Sequence, residues 1–151
     1  MSISCPTRGL SLVCGHTSSA TLRSSMKDNN AYIDLIIAAC KKVSEFVSGL
    51  DEAVFAKHPM AQSAVIMQLQ VIGEVAKKLD EETKGKIDVP WKMIIGLRNI
   101  ISHDYFLLEL NTIWDIASKN IPELEQKLHT HLETQGTVYV PPFDDTTPLM
   151  N

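Results

Sequence analysis

No stretch of this chain approaches eighteen consecutive apolar residues, so no membrane-spanning helix is expected. Residues 9–15 are too short and too polar for the apolar region of a secretory signal. Cysteine is scarce: Cys5, Cys14 and Cys40 make neither a disulfide framework nor a metal site, and Cys40 reads as a small core residue. A reduced, cytoplasmic protein is the expectation. Positive charge is also short, with 14 Lys and Arg against 18 Asp and Glu and a net of −4. Two of the basic residues, Arg8 and Arg23, and none of the acidic ones precede residue 26, which leaves 12 against 18 in the remainder. A broad basic surface gripping nucleic acid is therefore excluded, and any such contact must come from a few cations focused in a cleft. Strand patterning is missing too: Thr137–Val140 is the one β-like run, and it lies near the C-terminus.

What the chain does have is helical periodicity and enough apolar content, 44% of 151 residues, for one modest domain. Residues 1–25 are rich in Ser, Thr, Cys and Gly without periodicity and read as a disordered extension or an upstream-start artefact, with Met26 as the natural start. Residues 26–133 are the expected domain, and 134–151, rich in Pro, Thr and Asp, a flexible tail. Asp28 or Asn29 is expected to cap a first helix with Ile33, Ile36, Ile37, Cys40, Val43 and Val47 inward, stopped at Gly49. A second opens at Pro59, with Ala61, Val65, Leu69, Ile72, Ala76 and Leu79 as its stripe, and ends in the stretch from Glu81 to Gly85. A third starts at Pro90. A fourth follows an Asn111 cap, with Ile113, Trp114, Ala117, Ile121, Leu124 and Leu128 inward, and Pro122 should kink or split it. Four helices joined by short loops predict an all-α antiparallel four-helix bundle between disordered tails.

The third helix carries Arg98-Asn99-Ile100-Ile101-Ser102-His103-Asp104-Tyr105. At helical spacing Arg98 and Tyr105 are nearly eclipsed, Ser102 lies beside them, and Asn99 and His103 share the adjoining stripe. Ile94, Leu97, Ile101 and Leu108 fill the arc on the other side of Tyr105, with Ile100 and Leu107 further round, and Asp104 is turned into that arc, which predicts loosening near His103 or a partner for Asp104. Singly, His103 reads as a structural histidine, Arg98 as a surface cation and Tyr105 as a half-buried aromatic. Together they supply what phosphate chemistry requires. Arginine offers a fork of donors, histidine moves protons near neutral pH, and Asn99 and Ser102 can hold the imidazole tautomer or add donors.

Other polar residues carry less. His129 and His131 are two apart and cannot share a helical face, which argues against a metal site there. His58-Pro59 is a helix entrance, and Trp91 and Trp114 are core or interface aromatics. Asp80-Glu81-Glu82 reads as a solvated helix end. Glu74 reads first as a solvated partner of Lys78, with a carboxylate facing the motif helix as the alternative.

The run Gly96–Phe106 resembles the signature of the HEPN superfamily: Arg, four to six residues, His, any residue, Tyr. It is most similar to the HepT-like toxins, and Ile72–Leu79, Pro90-Trp91, Trp114–Ile116 and Ile121–Leu124 extend the similarity over residues 27–130. The resemblance implies a helical homodimer whose two motif helices form one cleft. It implies a metal-independent endoribonuclease without cofactor, the toxin of a toxin–antitoxin pair whose antitoxin is an MNT-type nucleotidyltransferase. Arg98 and His103 become the catalytic pair, with Asn99, Ser102 and Asp104 supporting. In some such pairs the antitoxin adenylylates the motif tyrosine, here Tyr105; modification of Tyr105 and simple packing or base stacking both stay open.

The chemistry gives its own reason for two copies. RNA cleavage without metal needs a base for the 2′-hydroxyl, donors for the phosphorane and an acid for the leaving 5′-oxygen, and one motif holds one histidine. The expected reading is thus an RNase toxin that leaves a 2′,3′-cyclic phosphate. The alternatives are a non-catalytic nucleotide- or RNA-binding module, and a helical adaptor partnering a nucleotidyltransferase.

Overall fold

The computed structural model describes residues 18–103 and 108–136, with side chains from residue 28 onward. All regular structure among these residues is helical. The order is α1 (Ser18–Val47), α2 (Glu52–Phe55), α3 (Pro59–Ala76), α4 (Glu81–Lys86), α5 (Trp91–His103), α6 (Leu110–Asp115), a π-helical turn (Ile116–Asn120) and α7 (Ile121–Thr134). The long elements form the expected antiparallel bundle: α1 packs on both α3 and α7, and α5 packs on α3. The expected tails fall largely outside the described residues, except that α1 already begins at Ser18.

Asn29 is not the cap of α1 but a buried side chain inside it, committed to a distant partner. Its Nδ2 donates to Asp80 Oδ2 at 2.5 Å, and its Oδ1 accepts from the Asp80 amide at 3.3 Å. The other Asp80 oxygen accepts from the Thr83 amide at 2.7 Å and so caps α4. Asp80-Glu81-Glu82 is thus a helix start rather than a helix end. Glu81 and Glu82 sit in its first turn and Lys84 and Lys86 in its last, the sense the helix dipole favours.

The apolar stripes bury as their spacing requires. Ile33, Ile36, Ile37, Cys40 and Val43 of α1 meet Val65, Leu69, Ile72 and Ala76 of α3, and Ile121, Leu124, Leu128 and Leu132 of α7. Truncating a fully buried leucine such as Leu128 to alanine costs about 2–5 kcal/mol in such a core. Leu79 is buried beyond the end of α3, in the turn leading to α4. Positive φ at Gly49 (74°) and Gly136 (68°) closes α1 and α7, because a residue with a Cβ is strained there. His58 Nδ1 accepts from the Ala61 amide at 3.1 Å and caps α3, whose first residue is Pro59.

Pro122 splits the last helix by a specific route. Proline cannot donate to the carbonyl four residues back, so the backbone widens by one residue just before it. The Ile121 amide donates to Ile116 five positions back, and α7 restarts in register. Two side chains anchor the short elements: Phe55 of α2 is buried against Trp114 with ring centroids 5.3 Å apart, and Trp91 Nε1 donates to the Lys84 carbonyl of α4 at 3.1 Å. No described helix is long and apolar enough to cross a membrane.

Asp80→Ala removes a helix cap and leaves the buried Asn29 amide without its acceptor. The expected loss is about 2–3 kcal/mol, the sum of a cap and an unsatisfied buried polar group. Urea denaturation measures it, and a loss below about 0.5 kcal/mol would show that the pair does not hold α4 to α1.

Candidate functional site

The motif helix α5 presents two faces as its sequence requires. Ile101 and Trp91 are buried, and Ile94 and Leu97 are half-buried against the core. Asn99, Ser102 and His103 are exposed on the other side. Ile100 is 46% exposed, and Met93, seven residues before it on the same face, is 74% exposed. Gly96 and His103 fall on that same stripe. Asp104 and Tyr105, and with them the expected eclipse of Arg98 and Tyr105, lie outside the described residues.

Arg98 departs from the sequence reading in an informative way. It is no free surface cation, since only 23% of its side chain is exposed. Its stem crosses α3 at Gly73, where a Cβ would come within 2.4 Å of Arg98 Cβ and 3.1 Å of the Ile94 carbonyl oxygen. The helices approach this closely because α3 has no side chain at that point. One residue on, Glu74 Oε2 lies 2.5 Å from Arg98 Nε. The buried Nε–H is not aligned with that oxygen, so the contact is an ion pair without a directed hydrogen bond. Nη1 donates to Asn99 Oδ1 at 3.3 Å. Glu74 therefore faces the motif helix, the alternative the sequence had left second, and its other cation is Lys77 at 3.7 Å. Lys78, the partner first expected for Glu74, instead lies 5.9 Å from the centre of the Tyr32 ring.

The described part of the site is thus a paired guanidinium and an exposed imidazole on one helix, with an amide and a hydroxyl between them. The arrangement offers donors for phosphoryl oxygens and a group able to move a proton. Among the described residues no group of three His, Cys, Asp or Glu could hold a metal ion. The apolar cleft of about 140 Å³ between α5 and α7 is a separate feature. Ile94, Leu97, Ile116, Ile121 and Leu124 line it, and none of the motif's polar residues does.

Residues 36–130 match the family described as "Ribonuclease HepT-like". The chain belongs to the HepT-like family. Among curated relatives, "Putative RNase TTE0752" of Caldanaerobacter subterraneus subsp. tengcongensis is 35% identical over 73% of this chain and 99% of its own. "Putative RNase MJ1380" of Methanocaldococcus jannaschii is 31% identical over 69% of this chain and 96% of its own. "Probable ribonuclease HepT" of Thermococcus cleftensis is 28% identical over 70% and 94%. No solved structure matches significantly. The matched segment spans α3 and α5 whole, so Gly73, Glu74, Arg98 and His103 all lie within the HepT-like region.

Sequence reasoning missed the Gly73–Arg98 contact, although Gly-Glu in mid-helix is a signal for it. A buried glycine in a helix otherwise filled by good helix formers costs about 1 kcal/mol and calls for a packing reason. Gly73→Ala should destabilise the fold by about 1–3 kcal/mol, because the obstructing atoms are the root of Arg98 and a main-chain oxygen rather than a flexible tip. A thermal midpoint equal to or above that of the wild type would show that the helices have slack there.

Proposed function

We propose that this HepT-like chain is a metal-independent endoribonuclease and the toxin of a toxin–antitoxin pair, acting in the cytoplasm, with Arg98 and His103 as its catalytic residues. The observation that carries the reading is the motif helix of a HepT-like chain with Arg98 seated against α3 and Asn99, Ser102 and His103 open to solvent. In this reading His103 takes the 2′-hydroxyl proton and the 2′-oxygen attacks phosphorus. Arg98 donates to the phosphorane oxygens, and the bond to the 5′-oxygen breaks as that oxygen receives a proton. The products are a 2′,3′-cyclic phosphate and a 5′-hydroxyl end.

One copy has one motif histidine, so the acid is assigned to His103 of a second copy across a two-fold axis. The exposed Met93 and Ile100, on the stripe that also holds Gly96 and His103, support that assignment. They are apolar residues a second α5 would cover. Two arginines in one cleft would also focus positive charge on a protein of net charge −4. The supporting roles of Asn99, Ser102 and Asp104, and control by an MNT-type nucleotidyltransferase with or without higher assembly, belong to the same reading.

His103→Ala and Arg98→Ala should each lower RNA cleavage by at least about 100-fold, with light scattering still reporting a dimer. Wild-type cleavage should persist in excess EDTA. Activity within a few-fold of wild type in either variant removes that residue from the mechanism, and a variant that binds RNA while the wild type never cuts it would favour a binding module instead.

Control by the antitoxin is proposed to act through Tyr105. With Tyr105 at the helical spacing that eclipses Arg98, adenylylation of its phenol would place a nucleotide and a phosphate beside that cation, where RNA has to lie, and occupancy and charge neutralisation would be enough to silence the site. Co-expression with the cognate nucleotidyltransferase should add mass in whole AMP units to the peptide containing Tyr105 and none to Tyr105→Phe. An inhibited but unmodified complex would instead point to steric cover.

A further inference from the structure

Glu74 spends a carboxylate on the one cation that the proposed chemistry needs, which at first sight weakens the site. A negative charge 2.5 Å from Arg98 Nε lowers the attraction of that guanidinium for a polyanion. The location of the contact resolves the conflict. Glu74 meets Nε, the inner nitrogen, which is shut off from solvent. The outer edge of the guanidinium is left for other acceptors, and Nη1 already reaches Asn99 Oδ1 at 3.3 Å. Gly73 fixes the root of the side chain, since no space remains between its Cα and the Cβ and Cγ of Arg98. Root and inner nitrogen are therefore both held by consecutive residues of α3. Arginine has several rotatable bonds, and an unheld guanidinium would spread its donors over many directions.

We propose that Gly73-Glu74 is a seat for Arg98, with Glu74 as a positioning residue that orients the outer nitrogens toward the scissile phosphate. The proposal rests on the assignment of Arg98 to phosphate stabilisation. A seat of this kind helps most where charge develops, because orientation matters more for the phosphorane than for a loosely bound ground-state phosphate. The same carboxylate opposes RNA binding as such. Its removal should therefore move the two kinetic constants differently, with kcat falling while KM stays level or drops. A merely structural role for Glu74 would not produce that pattern.

The experiment is steady-state cleavage of a fluorogenic RNA by the full-length protein, comparing wild type, Glu74→Gln, Glu74→Asp, Arg98→Lys and the Glu74→Gln/Arg98→Lys double variant. Glu74→Gln should lower kcat by roughly 10- to 100-fold with KM unchanged or reduced, and Glu74→Asp should recover most of the loss. In the Arg98→Lys background Glu74→Gln should add less than about a threefold loss, since lysine has no inner nitrogen to seat. Wild-type kcat in Glu74→Gln, beside an inactive Arg98→Ala, overturns the seat and leaves the ribonuclease reading standing. An active Arg98→Ala overturns both. A full additional loss in the double variant also overturns the seat, because Glu74 would then act independently of Arg98. Should Glu74→Gln fail to fold, Gly73→Ala serves in its place: it displaces the root of Arg98 without altering any charge, and the seat requires a fall in kcat at unchanged KM.

Discussion

The approach of α5 to α3 at Gly73 is the constraint on which the candidate site depends. Without a Cβ at that position the two helices come together until Arg98 Cβ and the Ile94 carbonyl occupy the space a side chain would have filled. This contact fixes the height of α5 along α3 as well as the direction in which Arg98 leaves the helix. Everything on the outer face of α5 inherits that register: Ser102 and Asn99 beside Arg98, and His103 beyond them five residues on. The site is set in a helix–helix contact, and rigid elements hold chemical groups more narrowly than loops do.

The rest of the bundle can be understood as holding α3 and α5 in that relation. α1 is the central partner of α3, and its buried Asn29 reaches across 51 positions to Asp80, at the start of α4. Trp91, the first residue of α5, hangs from the far end of the same short helix through the Lys84 carbonyl. A path of part-buried, directed hydrogen bonds thus runs from α1 through α4 to the start of α5. The connection between α3 and α5, residues 77–90, is pinned through α4 to both α1 and the start of α5. A polar bond in a low-dielectric setting is expensive to break, which makes Asn29–Asp80 a stronger restraint than the surface ion pairs around it.

Long periodic helices could be read directly from the chain, because a stripe at 3.6-residue spacing has few other solutions. The inward residues of α1, α3 and α7 were foreseen nearly one for one, as were the Gly49 stop, the Pro59 start and the splitting of the last helix at Pro122. The short elements were not. α2 and α4 are four and six residues long and have no period to read. Asp80-Glu81-Glu82 looks the same to periodicity whether it ends one helix or starts another, and tertiary contact with Asn29 decided it. The site divides along the same line. The exposed face of α5 followed from spacing alone, whereas the half-burial of Arg98 depends on a neighbouring helix, and pairwise approach across a bundle is not encoded in the period of either partner. The sequence cue that did exist was the mid-helix Gly73, unfavourable for the helix and therefore in need of a reason.

Charge ties these parts together. An acidic protein that acts on RNA cannot rely on long-range attraction, and the Glu74 carboxylate offsets part of the only motif cation among the described residues. Diffuse affinity is therefore weak by construction, and discrimination has to come from geometry at the phosphate. That favours an arginine over a lysine, since only a planar fork gains from being oriented. The proposed cleft of two copies follows the same logic: two half-compensated arginines would converge on one phosphate, and neither alone would hold RNA tightly. An isolated α5 face would then have little grip on nucleic acid. The same Met93 and Ile100 that are costly to leave in water would couple burial of an apolar surface to assembly of the charged one. In the proposed dimer the hydrophobic stripe and the seated arginine would serve one end: the cation would be strong only where a second copy completed the site.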